Sequence, residues 1–321
     1  MSVNEFEIIR RYFTRPAAID SGVVLGVGDD AAIVRIGGDQ ELVIAADVVN
    51  EGIHFPVNTS AQAVGHKALA VNLSDLAAMG ADPAWFTMTI SLPQADEQWL
   101  GQFASGLFNL ADQFGISLIG GDTVRGPLSI AINALGRVPV GAALRRSGAV
   151  VGDQIFVSGT LGDAACALQQ IHHDPDNVDP ALRQRLDFPT PRVELGRRLR
   201  GMANACIDIS DGLAADLSHI LDASRVGAVL HIDRIPVSAE AASADARASL
   251  ILAMTGGDDY ELCFTVPPVY AETINQVSKE AGVSLTCVGE IVAEPGLIMV
   301  DSDNQRVSLG HLGHDHFAQG I

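Results

Sequence analysis

The sequence predicts an α+β chain built as two mixed α/β domains. Three observations carry that expectation: the length of 321 residues, the alternation of strand-like and helix-like segments, and a Gly/Ala/Arg-rich break near the middle. A single hydrophobic core stops growing near this length, so two domains are the natural division. At 48% hydrophobic residues there is apolar material enough for both.

In the first half, Leu42–Val49 reads as a strand, Ser60–Met79 as a helix, Trp85–Leu92 as a strand and Glu97–Phe114 as a helix; strands follow at Ser117–Ile119 and Leu128–Val138. The long helix has Thr59 or Ser60 as an amino cap, stops at Gly80, has Pro83 just beyond, and carries Asp75 near its end. The amino-terminal domain is therefore expected to be a mixed sheet flanked by helices. Around 139–153 the composition changes, which places the boundary between domains 1–143 and 144–321. Beyond it, strands are expected at Gln154–Ser158, Ala228–Ile232, Tyr260–Val266, Leu285–Ile291 and Leu297–Val300. Helices are expected at Ala164–Ile171, near Arg192–Ala203, at Leu213–Ala223 and at Tyr270–Glu280; His172–Arg185 and Val237–Ser249 read as exposed loops or short helices.

A formal net charge of −19 disfavours nucleic acid and anionic membrane as partners. No apolar run reaches the roughly 20 residues that span a bilayer, and the amino terminus lacks a signal-peptide pattern, so a cytoplasmic protein is expected. Cys166, Cys206, Cys263 and Cys287 are widely spaced among apolar residues, as reduced core thiols are.

The chemistry lies in five clusters: Gly-Val-Gly-Asp-Asp at 26–30, Asn-Leu-Ser-Asp at 72–75, Gly-Gly-Asp at 120–122, Asp-Ile-Ser-Asp-Gly at 208–212 and Gly-Gly-Asp-Asp at 256–259. Any one is ordinary turn chemistry. Together they supply hard carboxylate oxygens beside backbone that can approach closely, the combination Mg²⁺ bridged to phosphates requires. Lysine is confined to Lys67 and Lys279, so metal, arginine and backbone amides must neutralise any phosphate.

Asp75 stands in an aliphatic frame, where an ionised carboxylate needs metal, capping amides or an arginine from elsewhere. Asp47 and Asp122 close apolar runs and are expected at strand ends facing a cleft; Asp29 and Asp30 also fit a hairpin turn. Asp208 and Asp211 could converge on one ion, with Ser210 offering a hydroxyl to a nucleotide and Gly212 opening a helix. Arg146, after Arg145, is a phosphate clamp or a solvated linker charge. His54 alone reads more simply as structural, and His311, His314 and His316 are a weak zinc signal.

The blocks Gly-Val-Gly-Asp-Asp-Ala-Ala, His-Lys-Ala-Leu-Ala-Val-Asn-Leu-Ser-Asp-Leu-Ala-Ala-Met-Gly-Ala-Asp-Pro, Leu-Ile-Gly-Gly-Asp-Thr-Val-Arg-Gly-Pro, Ile-Asp-Ile-Ser-Asp-Gly-Leu and Gly-Gly-Asp-Asp-Tyr-Glu-Leu make the chain resemble, almost end to end, the bacterial thiamine-monophosphate kinases of the aminoimidazole ribonucleotide synthetase-like superfamily. The resemblance implies ATP-dependent phosphorylation of thiamine monophosphate to thiamine diphosphate by direct in-line transfer with several Mg²⁺ ions, in a homodimer joined through amino-terminal domains. It implies metal ligation by Asp30, Asp47, Asp75, Asp122, Asp208 and Asp211, with Ala45 and Ala46 contributing a backbone carbonyl or a water where the family commonly has hydroxyl residues. It assigns Gly121, Asp122, Arg146 and Ser210 to ATP, and His54, Asp258 and His314 to thiamine monophosphate; Asp122, Asp211 and Arg146 become the groups at the transferred phosphoryl. Asp258 replaces a frequent Glu, and His314 a usual aromatic ring.

Overall fold

The computed structural model describes residues 5–15, 22–25, 27 and 33–307. The chain divides into two units, 1–76 with 81–141, and 77–80 with 142–321.

The first unit holds α1 (Glu5–Ile8), β1 (Val23–Leu25), β2 (Ile33–Val34), β3 (Gln40–Asn50), α2 (Ala61–Ala78), β4 (Asp82–Leu92), α3 (Glu97–Phe114), β5 (Ser117–Arg125) and β6 (Ser129–Pro139). The main sheet runs β3-β6-β4-β5, with only the β4–β5 pair parallel. That parallel pair is what requires the α3 crossover. On β6 the even positions from Ile130 to Val138 are buried and the odd ones are less so, the alternation of a sheet covered on one face. Gly136, on the covered face, lies against Leu76 of α2.

Ser60 is the cap of α2, its hydroxyl accepting the Ala63 amide at 3.2 Å. From Lys67 to Ala78 nearly every residue is buried, Lys67 included, so α2 is a core helix with no polar face. α3 is amphipathic, capped by Asp96, whose carboxylate accepts the amides of Gln98 and Trp99, and it ends at Gly115. α2 and α3 cross at Gly65 and Gly106: a Cβ on Gly106 would fall 1.9 Å from the Gln62 carbonyl oxygen. One end of the open sheet face is covered where Trp85, Ile119, Leu42 and Leu135 pack with Val23 and Val34. The rest stays bare, with Ile44 64%, Val48 46% and Val124 46% exposed.

The second unit holds β7 (Gln154–Ser158), α4 (Asp163–His173), α5 (Pro180–Asp187), α6 (Val193–Leu199), β8 (Ala205–Ile209), α7 (Leu213–Ser224), β9 (Gly227–His231), α8 (Ala239–Thr255), β10 (Glu261–Val266), α9 (Ala271–Ala281), β11 (Leu285–Val292), β12 (Gly296–Val300) and β13 (Arg306–Val307). Its seven-stranded sheet runs β13-β12-β9-β11-β7-β10-β8. Every residue of β8 and β10 is buried, so both faces of these strands are covered.

Of the two segments read as exposed loops or short helices, the structure makes both helical over part of their length. Residues 180–187 form α5, started by Asp179 as cap with Pro180 at its first position. Val237–Ser249 belongs mostly to α8, which bends at Asp245, whose backbone is non-helical and whose carboxylate caps the amides of Arg247 and Ala248. The Ala/Ser/Asp composition, which suits a loop or a short helix, forms two helical segments, the second capped by Asp245.

Candidate functional site

In the second unit two glycine- and aspartate-rich clusters come together. β8 delivers Asp208, the chain turns through Ser210, Asp211 and Gly212, and α7 begins at Leu213. The 256–260 loop docks on that turn: the Asp258 amide donates to the Ser210 carbonyl at 2.9 Å and the Tyr260 amide to the Ile209 carbonyl at 2.8 Å. The approach demands glycine at 257, where a Cβ would sit 2.1 Å from the Ser210 oxygen. Asp208, Ser210, Asp211 and Asp258 are thus gathered by backbone contacts.

Three further residues hold this arrangement. Asp216, buried in the first turn of α7, accepts the Ser210 and Asp211 amides through one oxygen, both at 3.0 Å. Burial first, then repulsion from Asp208 and Asp211, push its carboxyl up to about 7 against the lowering effect of those amides. Asp259 is buried and receives the Gly162 amide on both oxygens at 2.9 Å; burial holds its carboxyl well above the usual range. Tyr260 donates its phenol to Asp258 Oδ1 at 2.8 Å. Asp258 and Tyr260 both have positive φ, 70° and 52°, a backbone state that costs non-glycine residues on the order of 1–3 kcal/mol each and clusters at functional sites.

Asp216 and Tyr260 escape a reading based on glycine-aspartate pairs. Asp216 carries the same signal as Asp75, an acid inside an aliphatic run, Leu-Ala-Ala-Asp-Leu. Behind the loop, Glu261 is fully buried and accepts from Arg192 (2.5 and 2.6 Å), Arg185 (2.8 Å) and the Ser158 hydroxyl (2.5 Å). Arg146 lies at the other end of β8: the neighbouring Arg145 carbonyl takes the Cys206 amide, and the Arg146 carbonyl takes the Ser224 hydroxyl.

In the first unit Asp47 and Asp122 are within strands, not at their ends, because edge strands β3 and β5 continue to Asn50 and Arg125. Register separates them. Asp47 shares a row with Ile132, Met88 and Gly121, on the face covered by α2, the helix that carries Asp75. Asp122 is in line with Thr89, Ala131 and Val48 on the open face, and its Oδ1 accepts the Thr123 amide at 2.8 Å. Ala45 and Ala46 pair with Ala134 and Asn133 on edge strand β3, where alternate carbonyls point away from the sheet. A carbonyl ligand from this pair is therefore sterically open. Gly121 has φ 149°, and a Cβ there would fall 1.8 Å from the Met88 carbonyl oxygen, so strand packing alone demands its glycine.

His54 follows β3 in a turn and accepts the Asn50 amide on Nδ1 at 3.1 Å. When neutral it therefore carries its proton on Nε2, as a donor. Asp29, Asp30 and His314 lie outside the described residues.

Among the described residues no three His, Cys, Asp or Glu side chains gather closely enough to hold a metal ion by themselves. The donors are hard oxygens, and the Asp208–Asp211–Asp216 group carries the mutual repulsion that a cation relieves. Hard-oxygen donors of this kind suit Mg²⁺ bridged to substrate phosphates.

Residues 28–138 match the N-terminal domain, and residues 150–302 the C-terminal domain, of the AIR synthase related proteins. The chain belongs to that family. Over 324 residues it is 43% identical to thiamine-monophosphate kinase of Escherichia coli (strain K12), covering 99% of both chains. A crystal structure of thiamine-monophosphate kinase from Stenotrophomonas maltophilia K279a superimposes with a TM-score of 0.87 at 46% identity, over 96% of this chain and 99% of that one. AaThiL complexed with AMPPCP and TMP superimposes with a TM-score of 0.76 at 31% identity, over 91% and 92%. Within the AIR synthase related family the chain is a member of the thiamine-monophosphate kinases, and so a kinase.

Proposed function

We propose that the chain transfers the γ-phosphoryl group of ATP to thiamine monophosphate, forming thiamine diphosphate, in a Mg²⁺-dependent, direct in-line reaction. The observation that carries this reading is the docking of the Gly-Gly-Asp-Asp loop on the Asp-Ile-Ser-Asp turn in a full-length relative of kinases, one of which is solved with AMPPCP and TMP.

The acceptor is a phosphate already ionised at neutral pH, so no general base is needed. Catalysis reduces to positioning and charge neutralisation. By the family likeness, several Mg²⁺ ions would be held, by Asp30, Asp47, Asp75 and Asp122 with a carbonyl of Ala45 or Ala46 in the first unit and by Asp208 and Asp211 in the second; when bound they would neutralise phosphate charge. Ser210 and Gly121 contact the nucleotide, and Arg146 offers a bidentate fork to phosphate. His54, donating from Nε2, Asp258 and His314 bind thiamine monophosphate. The amino-terminal unit supplies the dimer face: Ile44, Val48 and Val124 lie bare on one sheet face, which a second copy covers. No helix among the described residues is long and apolar enough to cross a membrane, and we place the enzyme in the cytoplasm.

A ³¹P NMR time course with ATP, Mg²⁺ and thiamine monophosphate tests the reading. Thiamine diphosphate and ADP should grow in equal amounts and stop on adding EDTA. Nucleotide binding without transfer would overturn it.

A further inference from the structure

We infer that Tyr260 is a positioning residue for acceptor selection: its phenol aims the Asp258 carboxylate at the cationic ring system and amino group of the substrate. The inference rests on the function proposed above, in which Asp258 contacts thiamine monophosphate.

Four observations converge on this pair. The phenol donates to Asp258 Oδ1 at 2.8 Å, a charge-assisted bond that removes most of the rotational freedom of a short side chain. Positive φ at 258 and 260, two residues apart, is what brings the two side chains together. Asp259 between them is anchored in the opposite sense, with both oxygens on the Gly162 amide at the start of α4, so the loop cannot relax without breaking that contact. The amides of 258 and 260 are bonded to Ser210 and Ile209, which places the carboxylate beside the turn that carries Ser210 and Asp211. A loop held at three points, with strained backbone at the two residues that share a hydrogen bond, is organised around the direction of one carboxylate. Aspartate in place of the longer glutamate keeps that carboxylate within reach of the phenol. A buried phenol also needs a partner for its own sake, and Tyr260 is only 9% exposed. That alternative predicts a loss of stability, not of acceptor affinity.

The test compares wild type, Tyr260→Phe, Asp258→Asn and the double variant by steady-state kinetics and thermal unfolding. Tyr260→Phe should raise KM for thiamine monophosphate about tenfold, the factor expected from one lost hydrogen bond to a charged group, with kcat and KM for ATP within about twofold. Its unfolding midpoint should fall by no more than a few degrees, the cost of that one bond, and the double variant should be no worse than Asp258→Asn alone. An unchanged acceptor KM, additive effects in the double variant, or a joint fall of kcat, both KM values and the midpoint would each overturn the inference. If Tyr260→Phe does not fold, Asp258→Asn carries the test, and its failure to raise the acceptor KM overturns the inference. Wild type that binds ATP without phosphorylating thiamine monophosphate overturns the proposed function, a result separate from any variant.

Discussion

Replacing Glu261 by Gln should be among the most damaging single changes in the second unit. The carboxylate is fully buried and takes two hydrogen bonds from Arg192, one from Arg185 and one from Ser158. Burial opposes the charge on Arg185, yet the facing carboxylates of Glu261, Asp163 and Asp259 outweigh it, and its pKa is raised. Glutamine keeps the shape but presents an NH₂ to guanidinium donors, leaves Arg192 without this counter-charge and leaves Arg185 with Asp163 at 3.5 Å as its remaining ion pair. Breaking one side of a buried ion pair costs about 3–5 kcal/mol. For a unit of this size each kcal/mol moves the midpoint by about 2–4 °C, so the transition should fall by about 6–20 °C. Far-UV circular dichroism would follow it, with tryptophan fluorescence as the internal control, because Trp85 and Trp99 both lie in the first unit. A shift under about 3 °C would refute the reasoning, since it would mean the arginines find water or other acceptors at negligible cost. The triple replacement Glu261→Leu, Arg185→Met and Arg192→Met should recover most of the loss, because an apolar substitute for a buried ion cluster is often neutral or better.

Gly106→Ala should destabilise the first unit by about 1–3 kcal/mol or more, because the new methyl group meets a helix backbone carbonyl that no side-chain rotation can move; an unchanged urea midpoint would contradict the α2–α3 crossing. Asp75→Asn should abolish turnover in the phosphoryl-transfer assay while leaving the unfolding midpoint within a few degrees, since shape is kept and a metal ligand lost; near-normal activity would remove Asp75 from the metal site. Asp259 has a folded-state carboxyl raised by burial, so its contribution to stability is complete below the ordinary carboxylate range and declines as pH rises through the raised value. Wild-type stability should therefore fall more steeply toward alkaline pH than that of Asp259→Asn, and parallel pH profiles would refute the burial argument.

The sequence by itself determined the chemistry types and most elements. Glu97–Phe114 and Gln154–Ser158 fall where cap, periodicity and breaker residues put them, because these signals are local. The motif blocks marked the kinase family, and the family-model and full-length matches agree. For Val237–Ser249 the composition left loop and short helix both open, because an internal Asp245 cap imitates a loop; the structure makes most of it helix. Asp47 and Asp122 were misread as strand ends because an edge strand continues beyond the polar residue that interrupts its apolar run. Only the tertiary structure decided which clusters share a neighbourhood. Ser210 and Asp258 are 48 residues apart and meet through one amide–carbonyl bond, while Gly121 and Asp122 are adjacent and sit in rows that face opposite sides of a sheet. It also decided that Asp216, Asp259 and Tyr260 matter, because their roles depend on which backbone amide or carboxylate lies within 3 Å, a distance set by packing across the fold rather than by spacing along the chain.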